Sequence, residues 1–151
     1  MHYETRQSAL GAATLLLAFD PDWTGDLKKY MVDELIPAHR HGKLAFFVGE
    51  DEQPIGFIVW ANLSEETEHR IIETDDPWLH SSEWNEGSSL WIRYIHLRPH
   101  YWMAAIEQWE KFLGNSNDSI RTLFMRKGQF QILEIGMKTA RRIARLKSRN
   151  Y

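Results

Sequence analysis

The sequence predicts a mixed α/β (α+β) fold, a central mixed or antiparallel sheet flanked by helices. Three observations carry this. Five short apolar runs, at 44–48, 55–61, 90–97, 120–125 and 130–135, are each bounded by turn chemistry. Between and around them lie segments with apolar residues at three- and four-residue spacing, the helical period. The chain has 151 residues, 43 % of them hydrophobic and 26 % charged, which is enough apolar material for one core and excludes global disorder. The expected organisation is therefore one domain over residues 1–151, with 136–151 as a basic C-terminal helix or tail.

The elements follow in order. Residues 5–18 read as a helix, because Ala9, Leu10, Ala13, Leu16 and Leu17 share one face, and Asp20-Pro21-Asp22 breaks it. A second helix runs from Asp26 to Arg40. Pro37 is expected to bend or shorten it, and Gly42 to stop it. Leu44–Val48 and Ile55–Ala61, separated by the Gly49–Pro54 turn, form an antiparallel hairpin. Asn62 or Ser64 caps the next helix, whose first turn is acidic and which ends near Glu73. Residues 74–89 are a polar loop holding Trp78 and Trp84.

Leu90–Leu97 is the clearest strand. Strict alternation puts Leu90, Ile92, Tyr94 and His96 on one face and Trp91, Arg93, Ile95 and Leu97 on the other. Trp102–Leu113 is a helix with Met103, Ile106, Trp109 and Leu113 aligned, and 115–118 a loop. A second hairpin, Ile120–Met125 and Phe130–Ile135, turns at Arg126-Lys127-Gly128. From Met137 the period is helical again, with Ala140, Ile143, Ala144 and Leu146 as its stripe. The order ααββαβαββα is compatible with a GNAT-like acyltransferase architecture, although a fold does not fix a function.

Composition narrows the chemistry. There is no cysteine, which excludes a disulfide framework, a thiolate zinc site and a cysteine nucleophile, and fits a reducing compartment. No apolar run reaches the roughly 18 residues of a membrane span, and the N-terminus does not read as a secretion signal, so a cytoplasmic location is expected. Six bases and no acid follow Glu134, while the first 135 residues carry a net charge of −9. That tail, with Arg141, Arg142 and Arg145, suits an anionic partner. It lacks the aromatic interleaving of single-strand nucleic-acid binders apart from Tyr151, so nucleic acid is the disfavoured partner.

Neither a phosphate-cradling glycine loop nor a G-x-S-x-G elbow is present, so no cofactor is implied. The seven histidines show no metal-ligand spacing, and no metal is expected; His39 and His41 sit two apart at a helix end, where a cation offsets the helix dipole. The acids Glu50-Asp51-Glu52 and Asp75-Asp76 read as solvated loops.

Four stretches together resemble the toxin-activating lysine acyltransferases of the RTX (HlyC) type. Trp60-Ala-Asn-Leu-Ser-Glu-Glu-Thr-Glu68 matches the family's W-A-x-L-S-x-E-x-E block. Ile36-Pro37-Ala38 matches its L-P-A, and Trp84-Asn-Glu-Gly87-Ser-Ser-Leu-Trp91 its W-x-S-G-x-x-x-W, with Glu86 where the family has Ser. Ile120–Arg126 fits a late strand, and the similarity covers roughly residues 10–135. The resemblance implies transfer of a fatty acyl chain from an acyl carrier protein to lysines of a protoxin. It also implies a His after S-P-x-H as base and an Asp as its partner, a pairing that suits acyl transfer because the base is held in one tautomer.

The sequence departs from that pattern at both positions. The S-P-x-H stretch reads Asp20-Pro21-Asp22-Trp23, so the family's His falls on Trp23. Counting forward from Trp91, its Asp falls on Tyr94; counting back from Pro99, on Ile95. Whether the protein is an enzyme is thus left open. The sequence reading favours a catalytically degenerate, acyltransferase-like protein-interaction or structural module.

Such a module would bind through Trp23, Trp78, Trp84, Trp102 and the tail arginines. The first alternative is an active lysine acyltransferase with a rebuilt site, in which His96, beside Tyr94 on one strand face, is the substitute base. The second is a phage virion or assembly protein, since Arg126–Ile132 is similar to a C-terminal hairpin of internal virion proteins. The corresponding partners are an acyl carrier protein, a protoxin-like target or a virion protein.

Overall fold

Five strands make one sheet in the order β1-β2-β3-β4-β5: β1 (Leu44–Val48), β2 (Pro54–Leu63), β3 (Ser89–Leu97), β4 (Ile120–Arg126) and β5 (Gln129–Ile135). All neighbours are antiparallel except β3 and β4, which run parallel and pair only at Trp91↔Arg121 and Ile92↔Thr122. The parallel step requires a crossover, supplied by α5 (Trp102–Leu113). The remaining helices are α1 (Arg6–Ala18), α2 (Leu27–Tyr30), α3 (Ile36–Arg40), α4 (Glu65–Thr74) and α6 (Met137–Arg149). This is the expected mixed sheet with helices against it, consistent with a GNAT-like α+β fold. The computed structural model describes residues 6–98, 100–113, 119–126 and 129–149. His2, Pro99, the 115–118 loop and the turn at 127–128 lie outside them.

Each face of the sheet buries its own apolar cluster. On one side α1, α2 and α3 cover Phe57, Val59, Ala61, Leu63 and Trp91. On the other, α5 packs Ala105 and Trp109 onto Ile58, Trp60 and Ile120. Trp84, Trp91 and Phe57 are wholly enclosed, each contributing about 2–3 kcal/mol of apolar transfer.

Pro37 does not end its helix, which runs on to Arg40 as expected. Between α2 and α3 the residues Met31–Leu35 form a π turn, in which Ile36 N–H reaches five residues back to Met31 C=O. The widened turn ends where Pro37 has no N–H to give, so the helical path continues to Arg40. Gly42, at φ +66°, then takes the left-handed stop. Ser64, rather than Asn62, caps α4 by accepting from Thr67 N–H.

The alternation expected along β3 is broken. Val59 pairs with Tyr94 but the next residue, Trp60, pairs with Ile92, so Arg93 is an extra residue, a β-bulge. Past the bulge the faces exchange. Trp91 and Tyr94 lie in the helix-covered cluster, while Leu90, Ile92, Ile95 and Leu97 all face α5. The grouping of Tyr94 with Leu90 and Ile92 is therefore corrected; its grouping with His96 holds, since His96 stacks on Phe57 of the same cluster.

Candidate active site

Asp20 opens the loop after α1, where Asp22 N–H binds its Oδ1 at 2.9 Å and Trp23 N–H binds its carbonyl at 3.2 Å. This Asx turn holds the side chain in place and leaves Oδ2 directed to the sheet. There Oδ2 stands 3.5 Å from His96 Nδ1, within ion-pair reach but longer than a tight hydrogen bond. The His96 side chain is 5 % exposed and that of Asp20 28 %. Burial pushes the imidazole below its ordinary 6.5, Asp20 pulls it up, and Arg98 pushes it down again, with a net lowering. The resting ring is therefore neutral at pH 7, the state in which a base can accept a proton.

Gly56 is what allows β3 to lie so close behind this ring. A Cβ there would stand 2.3 Å from the His96 carbonyl oxygen. Around the pair is an aromatic wall. Phe57 stacks on His96 with ring centroids 5.5 Å apart, Tyr94 lies 5.9 Å from Phe57 and 5.0 Å from Tyr30, and Trp23 meets Tyr30 edge-on at 6.2 Å. Burial raises the Tyr94 phenol, opposed by the hydrogen-bonding Trp23 indole and reinforced by the Asp20 charge. Tyr94 is thus a protonated donor at neutral pH. Trp23 and Tyr94, the positions of the family's His and Asp, do come together, and a His and an Asp sit beside them at other positions. Ile95, the other position counted for the family's Asp, lies on the opposite face of the sheet.

A second buried charge pair braces the wall. Arg93, re-aimed by the bulge, pairs with Glu34 of the π turn; their side chains are 6 % and 7 % exposed. The Tyr30 hydroxyl is buried without a partner, and burial raises its pKa.

The two best-matching motifs interlock. Glu86 Oε1 accepts from the hydroxyls of Ser64 (3.1 Å) and Thr67 (2.5 Å), and the N–H groups of Glu86 and Gly87 both reach Asn62 C=O at 3.1 Å. Any side chain at 87 would meet Leu63 O at 1.9 Å. Glu68 accepts from Trp91 Nε1 at 2.6 Å and from Arg121 at 2.6 and 2.8 Å. These residues join α4 to β3 and β4 and make the frame behind the site. A model of the RTX toxin acyltransferase (HlyC) family matches residues 2–100, which include this frame apart from Arg121, the Asp20 loop and His96.

The chain belongs to the RTX toxin acyltransferase family. No curated protein matches it. Within this family member, the other residues singled out from sequence are dispersed. Trp84 is fully buried, near-parallel to His41 at 6.3 Å, and so presents no surface to a partner. Trp78 is 39 % exposed with Lys29 Nζ 4.8 Å above its ring. Trp23 and Trp102 are half-buried, the latter against the opposite sheet face. Arg141 is paired with Glu110 of α5, whereas Arg142 and Arg145 are exposed on α6. Among the described residues no three His, Asp or Glu side chains could hold a metal ion, and no helix is long and apolar enough to cross a membrane.

Sequence reasoning missed Asp20, Glu34 and Arg121. Asp20 alone left a signal: it is an acid at the Ser position of the S-P-x-H stretch, beside the position vacated by the family's His.

Proposed function

We propose that this protein is an acyl carrier protein-dependent lysine acyltransferase whose proton-transfer pair has moved to His96 and Asp20. The observation that carries this reading is the 3.5 Å approach of His96 Nδ1 to Asp20 Oδ2 beside Trp23 and Tyr94. With Asp20 at Nδ1, that nitrogen keeps the proton and Nε2 is the base. His96 takes a proton from the attacking lysine amine, the N–C bond forms as the thioester C–S bond breaks, and the same proton passes to the departing thiolate. Asp20 steadies the imidazolium formed on the way. Tyr94, a protonated phenol, donates to the developing oxyanion. The 3.5 Å separation closes as charge develops on the ring.

The test is to incubate the protein with acylated carrier protein and candidate target proteins and to read lysine mass shifts. Transfer that is lost in His96→Ala supports the reading. Transfer unaffected by His96→Ala, or absent across donors and targets from a well-folded preparation, sinks it. The non-catalytic reading draws on one observation, the enclosure of His96, which is 5 % exposed. It predicts a stoichiometric complex with a protein partner, in a virion or elsewhere, through Trp78 and the exposed arginines of α6.

A further inference from the structure

β5 is the last strand of the sheet, and its outer edge is open. The register decides which groups lie along that edge. Phe130 N–H turns away from β4 and donates to Asp75 Oδ1 at 3.0 Å. In an antiparallel ladder alternate residues face the same way, so Ile132 and Glu134 present their N–H and C=O groups on that side too. Among the described residues nothing pairs with those groups. Asp75, in a left-handed turn (φ 52°) at the end of α4, thus does at one position what the carbonyl of a neighbouring strand would do.

A groove of about 540 Å³ runs along this edge, between β5 and the C-terminal end of α4. Ile72 of α4 and Ile132 of β5 line it, each 39 % exposed. Ile132 pairs with Leu123, which packs into the cluster that holds Ile71 of α4, so its side chain lies on the α4 face of the sheet. The charged lining is acidic: Glu73 and Asp75, with Glu134 two residues along the same face of β5 from Ile132. Arg121 offsets Glu134 at 3.4 Å, whereas Glu73 has no cationic partner among the described residues. Unpaired backbone groups, an apolar side chain on each wall and an acidic rim together suit an extended, positively charged chain.

We propose that this groove docks an extended basic segment of a partner protein, which joins the sheet as a sixth strand beside β5. A second copy of the chain suits it poorly. Two β5 strands paired antiparallel about Ile132 would set Glu134 of each copy against Phe130 of the other, where Asp75 already sits, and so bring like charges together. Docking here is independent of acyl transfer, since none of the groove residues belongs to the His96–Asp20 pair or its aromatic wall.

The probe is a capped, fluorescently labelled hexapeptide of alternating lysine and valine, titrated into the full chain and read by fluorescence anisotropy. Wild type is expected to bind it, with affinity falling at high salt. The glutamate–valine counterpart should bind about tenfold more weakly or worse, and so should the lysine–valine peptide with N-methylated backbone amides. Ile132→Pro removes an N–H that faces away from β4, so the ladder survives while docking weakens by about tenfold or more. Circular dichroism confirms that it is folded. Glu73→Lys, at an exposed position of α4, should weaken binding in the same direction and keeps the test available if Ile132→Pro does not fold. Absence of binding in wild type, equal binding of the acidic or the N-methylated peptide, or unchanged binding by either folded variant overturns the inference. So does a concentration-dependent dimer in sedimentation that Ile132→Pro abolishes, which would assign the edge to a second copy. His96→Ala separates this claim from the catalytic one, since it should bind the peptide as wild type does.

Discussion

The imidazole of His96 and the carboxylate of Asp20 stand 3.5 Å apart, one on the central strand and the other on the loop that closes α1. In the proposed reading the strand supplies the base and the loop the acid, the reverse of the placement that the S-P-x-H pattern implies. A proton relay depends on the distance between its groups and is indifferent to which element supplies which.

Removing the base is the first test of this arrangement. His96→Gln should lower the transfer rate by about a hundredfold or more. In wild type the rate should fall on the acid side below the ordinary imidazole value of 6.5, because burial lowers the ring's pKa. Asp20 raises that value, so Asp20→Asn should move the acid limb to still lower pH as well as slow the reaction. Rate–pH profiles of the three proteins check both signs. The same depression makes the protonated ring unfavourable in the fold, so His96 contributes stability that is lost as pH falls below 6.5.

Glu68 ties Trp91 and Arg121 together, and its loss should loosen the parallel seam. Burial pushes its carboxyl up, but the hydrogen bonds from Trp91, Ser89 and Arg121, with the Arg121 charge, outweigh this and hold it below its ordinary 4.5. Its stabilisation is present above that value and disappears as pH falls through the lowered one. Glu68→Ala should cost about 2 kcal/mol, less than a fully enclosed pair, because Arg121 keeps 31 % exposure. Urea unfolding at neutral and acid pH measures it, with the variant's deficit shrinking in acid.

Arg93 and Glu34 form a more enclosed pair. Arg93→Met leaves a buried carboxylate alone and should cost about 3–5 kcal/mol. The double replacement Arg93→Met with Glu34→Leu should recover much of it. Thermal unfolding of both singles and the double variant gives the coupling.

At Gly87 the constraint is backbone against backbone. Gly87→Ala puts a methyl 1.9 Å from Leu63 O, so the chain must shift. A loss of about 1–3 kcal/mol is expected, with Glu86 drawn off Ser64 and Thr67. Denaturant midpoints measure the first effect, and amide exchange at the start of α4 the second.

Most of the architecture was legible in the residues because it is written locally. Turn chemistry at Gly49–Pro54 bounds a hairpin, Gly42 stops a helix, and Ser64 with its following acids starts one. Two features escaped because they are set by pairing between distant segments. Alternation along β3 cannot show that Trp60 will skip a residue of its partner strand, so it predicts opposite faces for Arg93 and Tyr94, whereas the bulge lets Arg93 reach Glu34 on the side where Tyr94 lies. Pro37 reads as a breaker in isolation, and only the π turn that precedes it removes the need for its N–H. Of the candidate site, His96 and Tyr94 were visible as a strand face. Asp20 left only the trace of an acid in the S-P-x-H stretch, because its nearness to His96 depends on a loop folding back onto that face.

The two-rung contact between β3 and β4 divides the sheet into a three-stranded part and a terminal hairpin joined by a narrow bridge. What couples the two parts across so short a seam is the buried face of α5 and the Arg121–Glu68 pair, so loosening that pair should let the terminal hairpin open locally before the three-stranded part unfolds.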